Sequence, residues 1–303
     1  MSVTQAIYKL IYNPKVNFLL RNSNYVLNTL KLTKFRLPPS GKVTLNTDNG
    51  TILMYTNQTS YITQLLFWFG YKNFEYSTIF ERIASKTTVF LDIGANIGYY
   101  SLLGVKANPS IKAYAFEPAL GPKYYLNKNI ILNNFSNQIT HIDKALSIQK
   151  GTIDFYEVAN KKYKYLEHNL AGEGNAGTKT TGRNYVKNRV ESISLNDFAN
   201  QINTDTIDLI KIDTEGTEVS ILESGKATIE RYQPIVICET LFNTTEKELE
   251  TFFKSLNYLI FNHTKKGLQK TSSIIREKDN GIRNCFFVPK TKEHIISEFV
   301  IND

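Results

Sequence analysis

The chain has 303 residues, 42% apolar and 21% charged, with 36 Lys and Arg against 28 Asp and Glu and a formal charge of +8. These proportions exclude a disordered chain and fit one large domain or two small ones. Two cysteines, Cys238 and Cys285, exclude a disulfide scaffold, and without a CxxC pair they argue against a zinc–thiolate site. No apolar run approaches the roughly 18–20 residues that cross a bilayer, and the start does not read as a secretory leader. A cytoplasmic, reducing location is the expectation.

The positive charge is concentrated in the first 47 residues, which hold Lys9, Lys15, Arg21, Lys31, Lys34, Arg36 and Lys42 and no acidic residue before Asp48. The remainder is close to neutral. These cations alternate with Tyr8, Ile11, Tyr12, Phe18, Leu19, Leu20, Leu27, Leu30 and Phe35. The simpler reading is a helical extension packed on the core. The other is a basic amphipathic helix pair that meets an anionic membrane surface, peripheral to its inner face, or an acidic substrate. Pro38-Pro39-Ser40-Gly41 ends the segment. Two short runs flanking Asp48-Asn49-Gly50 then predict a β-hairpin, followed by helices over 62–69 and 76–84. Residues 1–80 are therefore expected to form an extension to a domain spanning 81–303.

From Thr88 onward, strand-like runs at 89–91, 113–116, 139–142, 207–212 and 235–238 alternate with helix-length segments. This alternation predicts an α/β fold with a mostly parallel sheet covered on both faces. Two later runs, 258–261 and 285–288, have no helix between them and predict an antiparallel edge pair. The Gly-rich stretch 171–182 is expected to be a mobile loop, with Asn175-Ala176-Gly177 touching substrate.

The first of these strands carries the most information. Val89-Phe90-Leu91-Asp92-Ile93-Gly94-Ala95-Asn96-Ile97-Gly98-Tyr99-Tyr100 is an apolar strand, an acidic residue and a two-glycine turn opening into a helix. The spacing is neither that of a dinucleotide binder nor that of a triphosphate loop. Asp92 beside the turn suits a ligand with an ammonium group, such as the amino-acid end of S-adenosylmethionine. The next strand ends in Phe116-Glu117-Pro118, about 20 residues on, where an acidic residue holds a ribose diol. The fourth strand, Ile210-Lys211-Ile212-Asp213-Thr214-Glu215-Gly216-Thr217-Glu218, places Lys211 and Asp213 on one side, and the fifth ends in Glu239. Clustered carboxylates at such a rim are candidates for general-base work. A structural Lys211–Asp213 ion pair is the alternative.

Taken together, the blocks at 89–101, 116–118, 210–218 and Ile237-Cys238-Glu239 resemble the FkbM family of S-adenosylmethionine-dependent methyltransferases over residues 87–263. The resemblance implies a class I (Rossmann-like) methyltransferase fold, a seven-stranded sheet with its last strand antiparallel. It implies methylation of hydroxyl oxygens on sugars and related metabolites. It also implies cofactor contacts from Asp92, Gly94, Ala95, Asn96, Gly98, Tyr99, Glu117, Pro118, Lys144 and Ala145. Residues 1–80 lie outside it.

The expected chemistry is in-line displacement on an activated methyl group. Asp213 or Glu239 accepts the hydroxyl proton, and Lys211 holds the carboxylate or the developing alkoxide. A divalent ion on Asp213 and Glu239 is the less favoured arrangement, and the scattered His141, His168, His263 and His294 give no histidine metal site. His168 is an outside candidate for the base. A nucleic-acid methyltransferase using the basic segment and a non-catalytic binding protein on the same fold are the other classes considered. No strand ends in the motif of base-amino methylases, which counts against nucleic acid.

Overall fold

The structure is a computed structural model that describes residues 2–160, 162–170, 185–214 and 216–301. Helices α1 (Val3–Ile11) and α2 (Pro14–Thr29) precede the hairpin β1 (Gly41–Thr47) and β2 (Gly50–Thr56). Next come α3 (Tyr61–Phe69), α4 (Ser77–Ala84), β3 (Val89–Ile93), α5 (Tyr99–Ala107), β4 (Lys112–Phe116), α6 (Leu120–Leu132) and β5 (Ile139–Ile142). The strands β6 (Ala145–Leu146), β7 (Gly151–Val158) and β8 (Tyr185–Ile193) follow. The rest of the chain runs α7 (Leu195–Ile202), β9 (Leu209–Ile212), α8 (Glu218–Ser224), α9 (Lys226–Tyr232), β10 (Ile235–Glu239) and α10 (Glu246–Ser255). It closes with β11 (Tyr258–Thr264), β12 (Gly267–Thr271), β13 (Asn284–Pro289), α11 (Glu293–Ile296) and β14 (Val300–Ile301).

The main sheet has the order β14-β12-β11-β13-β10-β9-β3-β4-β5. Its central strands β10, β9, β3, β4 and β5 are parallel, while β13 is antiparallel to both of its neighbours, β10 and β11. The antiparallel pairing of 258–261 with 285–288 is therefore present, but away from the edge, because β12 and β14 extend the sheet beyond β11. Side chains alternate between two cores, as the two-residue period of a strand requires. Phe90, Ala113, Leu209, Ile235 and Phe286 face α4, α5 and the hairpin, whereas Leu91, Phe116, Ile210, Val236 and Phe287 face the α7–α10 side. Cys238 and Cys285 are free, buried and opposite one another across β10 and β13.

The boundary expected at residue 80 falls inside α4. Val43, Ile52, Met54, Leu66 and Phe80 share one core with Phe90 and Leu102 of the sheet layer. Asn129 of α6 and Asn133, which caps its C-terminus, also hold the edge of β2, accepting from the backbone N–H groups of Tyr55 and Leu53 at 2.6 and 2.9 Å. Hairpin, α3 and α4 thus belong to the body of the protein. The first two helices do not bury their apolar residues: α1 buries no side chain, and α2 buries only Asn17 and Arg21. They pack on the body instead through ring contacts, Tyr25 on Trp68 and Tyr8 and Tyr12 on Tyr163, and through the buried Arg21, so the packed extension expected from sequence is present without an aliphatic seam. Among the described residues no helix is long and apolar enough to cross a membrane. A small sheet of order β6-β8-β7, not anticipated from sequence, stands beside the carboxyl ends of β3 and β4. The Gly-rich loop at 171–182, with Asn175-Ala176-Gly177, and Glu215 lie outside the described residues.

Candidate active site

The glycine turn after β3 is tied to the end of β4. The backbone N–H groups of Gly94 and Ala95 both donate to the Phe116 carbonyl, at 3.1 and 2.9 Å. Gly94, Asn96 and Gly98 all have positive φ (74°, 51° and 87°), so the chain reverses in a conformation most side chains resist. Asn96 tolerates this because its own side-chain oxygen accepts from the Ile97 N–H at 2.9 Å. At Gly94 space is as decisive as φ: a Cβ there would lie 1.9 Å from the Asp213 carbonyl oxygen.

Glu117 closes the other side of the turn. Its carboxylate accepts from Asn96 N–H at 2.8 Å and from Ala119 N–H at 2.9 Å. The group is almost wholly buried, and burial pushes its pKa up to about 8, although the two amides favour the charged form. A cleft of about 600 Å³, part of it open to solvent, runs past it. Gly94, Glu117, Pro118, Lys144, Ala145 and Asp213 line the cleft, together with Leu146, Ile153 and Phe155 of the small sheet. The last three were missed from sequence. The alternation of Ile153 and Phe155 along Thr152–Tyr156 was the signal that could have found them.

Asp92, Ala95, Asn96 and Gly98 shape the turn from behind the cleft. Asp92 is fully buried, with one carboxylate oxygen accepting from Ser101 Oγ at 2.6 Å and the other 3.6 Å from Lys211 Nζ. Burial raises its pKa, against the opposing pull of Lys211. The ammonium facing Asp92 is thus the protein's own, which corrects the expectation that this carboxylate meets a ligand's ammonium directly. Tyr99 is also not at the cleft: its ring packs edge-on against Phe74 and its hydroxyl bonds Ser77 Oγ at 2.7 Å.

Strand register assembles the second half of the site. Lys211 is paired with Asp92 on one side and Ile237 on the other, so Asp213 and Glu239 leave neighbouring strands two residues further on, on that same face. Lys211 Nζ donates to the Gly94 carbonyl at 2.9 Å and stands 3.6 Å from Asp213 Oδ2. Burial pulls this ammonium toward the neutral form, but Asp213, Asp92, Glu75 and Glu117 outweigh it and raise its pKa. The Asp213 side chain keeps 46% of its surface exposed against 5% for Lys211, so the aspartate can meet a ligand and the lysine cannot.

Two further residues join this face from outside the predicted blocks. Glu75, at φ 43°, accepts from Tyr100 Oη at 2.7 Å, and the Tyr100 ring lies 5.8 Å from Lys211 Nζ. Glu75 also lines a second, wider cleft with Arg283, Asn284 and His263. Asn284 is the ladder partner of Glu239, so this cleft opens on the same rim. Glu75 as a residue is exposed, but its carboxylate is crowded by protein atoms; this crowding, and then Asp213, raise its pKa against the Tyr100 hydrogen bond. Burial holds His263 at about 4, neutral at ordinary pH. No sequence signal singles out Glu75; only the fold brings it here. His168 stacks on Tyr124 with ring centroids 4.2 Å apart, and among the described residues no contact connects it to the rim carboxylates. Glu218 accepts from Thr214 N–H, Thr214 Oγ1 and Gly216 N–H at 2.9–3.1 Å, holding the turn that follows Asp213. Among the described residues no group of three or more His, Cys, Asp or Glu is placed to hold a metal ion.

A mostly parallel sheet with β13 running antiparallel between β10 and β11, a glycine turn after β3 and an acidic residue after β4 mark the class I methyltransferase fold. Residues 92–262, more than half of the chain, match the family described as Methyltransferase FkbM domain, and the chain belongs to that family. A curated relative, methyltransferase sdnD of Sordaria araneosa, is 29% identical over 151 residues, which is 44% of this chain and 58% of that protein. Among solved structures, methyltransferase FkbM from Methylobacillus flagellatus KT overlaps 66% of this chain and 43% of its own, at 16% identity and a TM-score of 0.43. The precorrin-6y C5,15-methyltransferase of Geobacter metallireducens GS-15 overlaps 70% of this chain and 86% of its own, at 10% identity and a TM-score of 0.39.

Proposed function

We propose that this protein is an S-adenosylmethionine-dependent methyltransferase that methylates a hydroxyl oxygen of a sugar or a related metabolite. The observation that carries the reading is the shared rim, where Asp213 and Glu239 emerge side by side within one residue's contact of the Gly94 turn. The residues present fit the cofactor. Glu117 spends one lone pair of each oxygen on a backbone amide and keeps others for a ribose diol. Leu146, Ile153 and Phe155 offer an apolar wall for a flat heterocycle.

S-adenosylmethionine supplies a methyl group already activated on a sulfonium. The protein's part is to align the acceptor and take its proton. With the cofactor bound, Asp213 or Glu239 would take the acceptor's hydroxyl proton, so that the oxygen could accept the methyl group as the neutral thioether leaves. Lys211, buried and bonded to the Gly94 carbonyl, holds the Asp213 carboxylate in place and does not reach the alkoxide. Glu75 and the wider cleft offer the acceptor's side of the rim.

The test is transfer of labelled methyl from S-adenosylmethionine to a panel of sugars and glycans. Transfer to oxygen, lost in Asp213→Asn or Glu239→Gln with cofactor affinity retained, supports the assignment. Calorimetric binding of the cofactor with no transfer to any hydroxylated acceptor would instead favour a binding protein. Loss of activity on exhaustive chelation would replace the carboxylate base by a metal-polarised hydroxyl.

A further inference from the structure

Helix α2 is built inside out. Its inward stripe is polar: Asn17, Arg21, Asn24 and Asn28, spaced three or four residues apart, all bond to residues 35–42. Asn17 accepts from Ser40 N–H at 2.7 Å and donates to the Pro38 carbonyl at 3.2 Å. Arg21 donates to the carbonyls of Ser40 and Lys42, with no carboxylate pairing it among the described residues. Asn24 accepts from Leu37 N–H, and Asn28 donates to the Phe35 carbonyl. The apolar residues are left on the outside: Leu19, Val26 and Leu30 are 68%, 56% and 62% exposed. The stripe Val3, Ile7 and Leu10 of α1 is exposed as well, and a groove lined by Tyr8, Ile11, Leu20 and Phe35 joins the two helices into one surface.

A helix fastened by side-chain hydrogen bonds, with its leucines in water, presents an apolar surface of the kind that marks an interaction site. Charge identifies the partner. Lys9, Lys15, Lys31 and Lys34 are exposed around it, the first 47 residues carry no acidic residue, and none of these four lysines forms an ion pair among the described residues. A second copy of this surface would meet it with the same sign of charge. An anionic bilayer offers both an apolar interior and opposite charge. Helices of 9 and 16 residues are too short to span it and would lie in the interface plane. We propose that α1 and α2 dock the protein on an anionic lipid surface. This inference stands independently of the methyl-transfer reading.

The experiment is flotation of the full chain with vesicles of phosphatidylcholine, with and without about a quarter phosphatidylglycerol. The expected result is flotation with the anionic vesicles at low salt, weakening about fivefold for each lysine removed and falling further in high salt. The variant carrying Leu19→Asp and Leu30→Asp, both at exposed positions, loses flotation and keeps its melting temperature and cofactor affinity. Absence of flotation at low salt overturns the proposal. So does equal flotation of the variant, or a dimer in solution that the same substitutions dissociate while vesicles are not bound.

Discussion

Each carboxylate of the rim has a different neighbour, and the neighbours assign different tasks. Asp92 is sealed against Lys211, Glu117 is clamped by two amides, and Asp213 combines a lysine contact with substantial exposure. Replacing Asp213 or Glu239 by its amide is expected to lower kcat by about 10²–10⁴-fold for whichever is the base, while the cofactor Kd changes little. Steady-state kinetics beside calorimetry reads this split. Glu117 carries a pH signature. With its pKa raised from 4.5 to about 8, the folded apo protein holds a proton that the unfolded chain has released, so this group's stabilisation is lost as pH rises between those values. A diol donating to the carboxylate prefers the ionised form, so cofactor binding tightens as pH rises toward about 8, by at most about tenfold per unit. Calorimetry across that range should show the slope, and Glu117→Gln should flatten it. Glu75→Gln is expected to raise KM for the acceptor with cofactor affinity intact; an unchanged KM would remove Glu75 from the acceptor's side.

At the scale of elements, the parallel strands and the glycine turn were legible because their signals are local. Short apolar runs ending in acidic residues mark strand ends, and two glycines mark a reversal. The small sheet was not read, since β6 has two residues and β7 and β8 are separated in sequence by residues 159–184. Glu75 was illegible for a deeper reason: it sits in a turn before α4, and its role depends on Tyr100, a ring-stacked residue of α5. Helix α2 misled because amphipathic spacing says which residues share a face, and not which face turns inward. Asn17 and Arg21 anchor it by satisfying the carbonyls of Pro38, Ser40 and Lys42 and the Ser40 N–H, along the irregular chain that leads into β1. Removing the buried guanidinium in Arg21→Ala leaves the Ser40 and Lys42 carbonyls unpaired, and should cost about 2–3 kcal/mol. Limited proteolysis should then cut within 12–36 while the sheet body remains protected.

For the whole molecule, the charge of +8 describes two territories, a basic surface helix pair and a nearly neutral body whose catalytic rim is rich in carboxylates. The two can be probed separately, because the exposed apolar positions of α1 and α2 do not line either cleft of the rim. Within the body such separation fails at one point. The space a side chain would occupy on Gly94 is filled by the Asp213 carbonyl, so Gly94→Ala is expected to destabilise the fold by about 2–4 kcal/mol and to impair cofactor binding and turnover together. Thermal melts and calorimetry of that variant read both losses. The same contact limits how the protein can diverge. Any drift of β9 that would suit a new acceptor drags the cofactor turn with it, so descendants with altered acceptor preference should carry their substitutions in the walls around Glu75 and the β11–β13 end, with Gly94 and Asp213 inherited as a single unit.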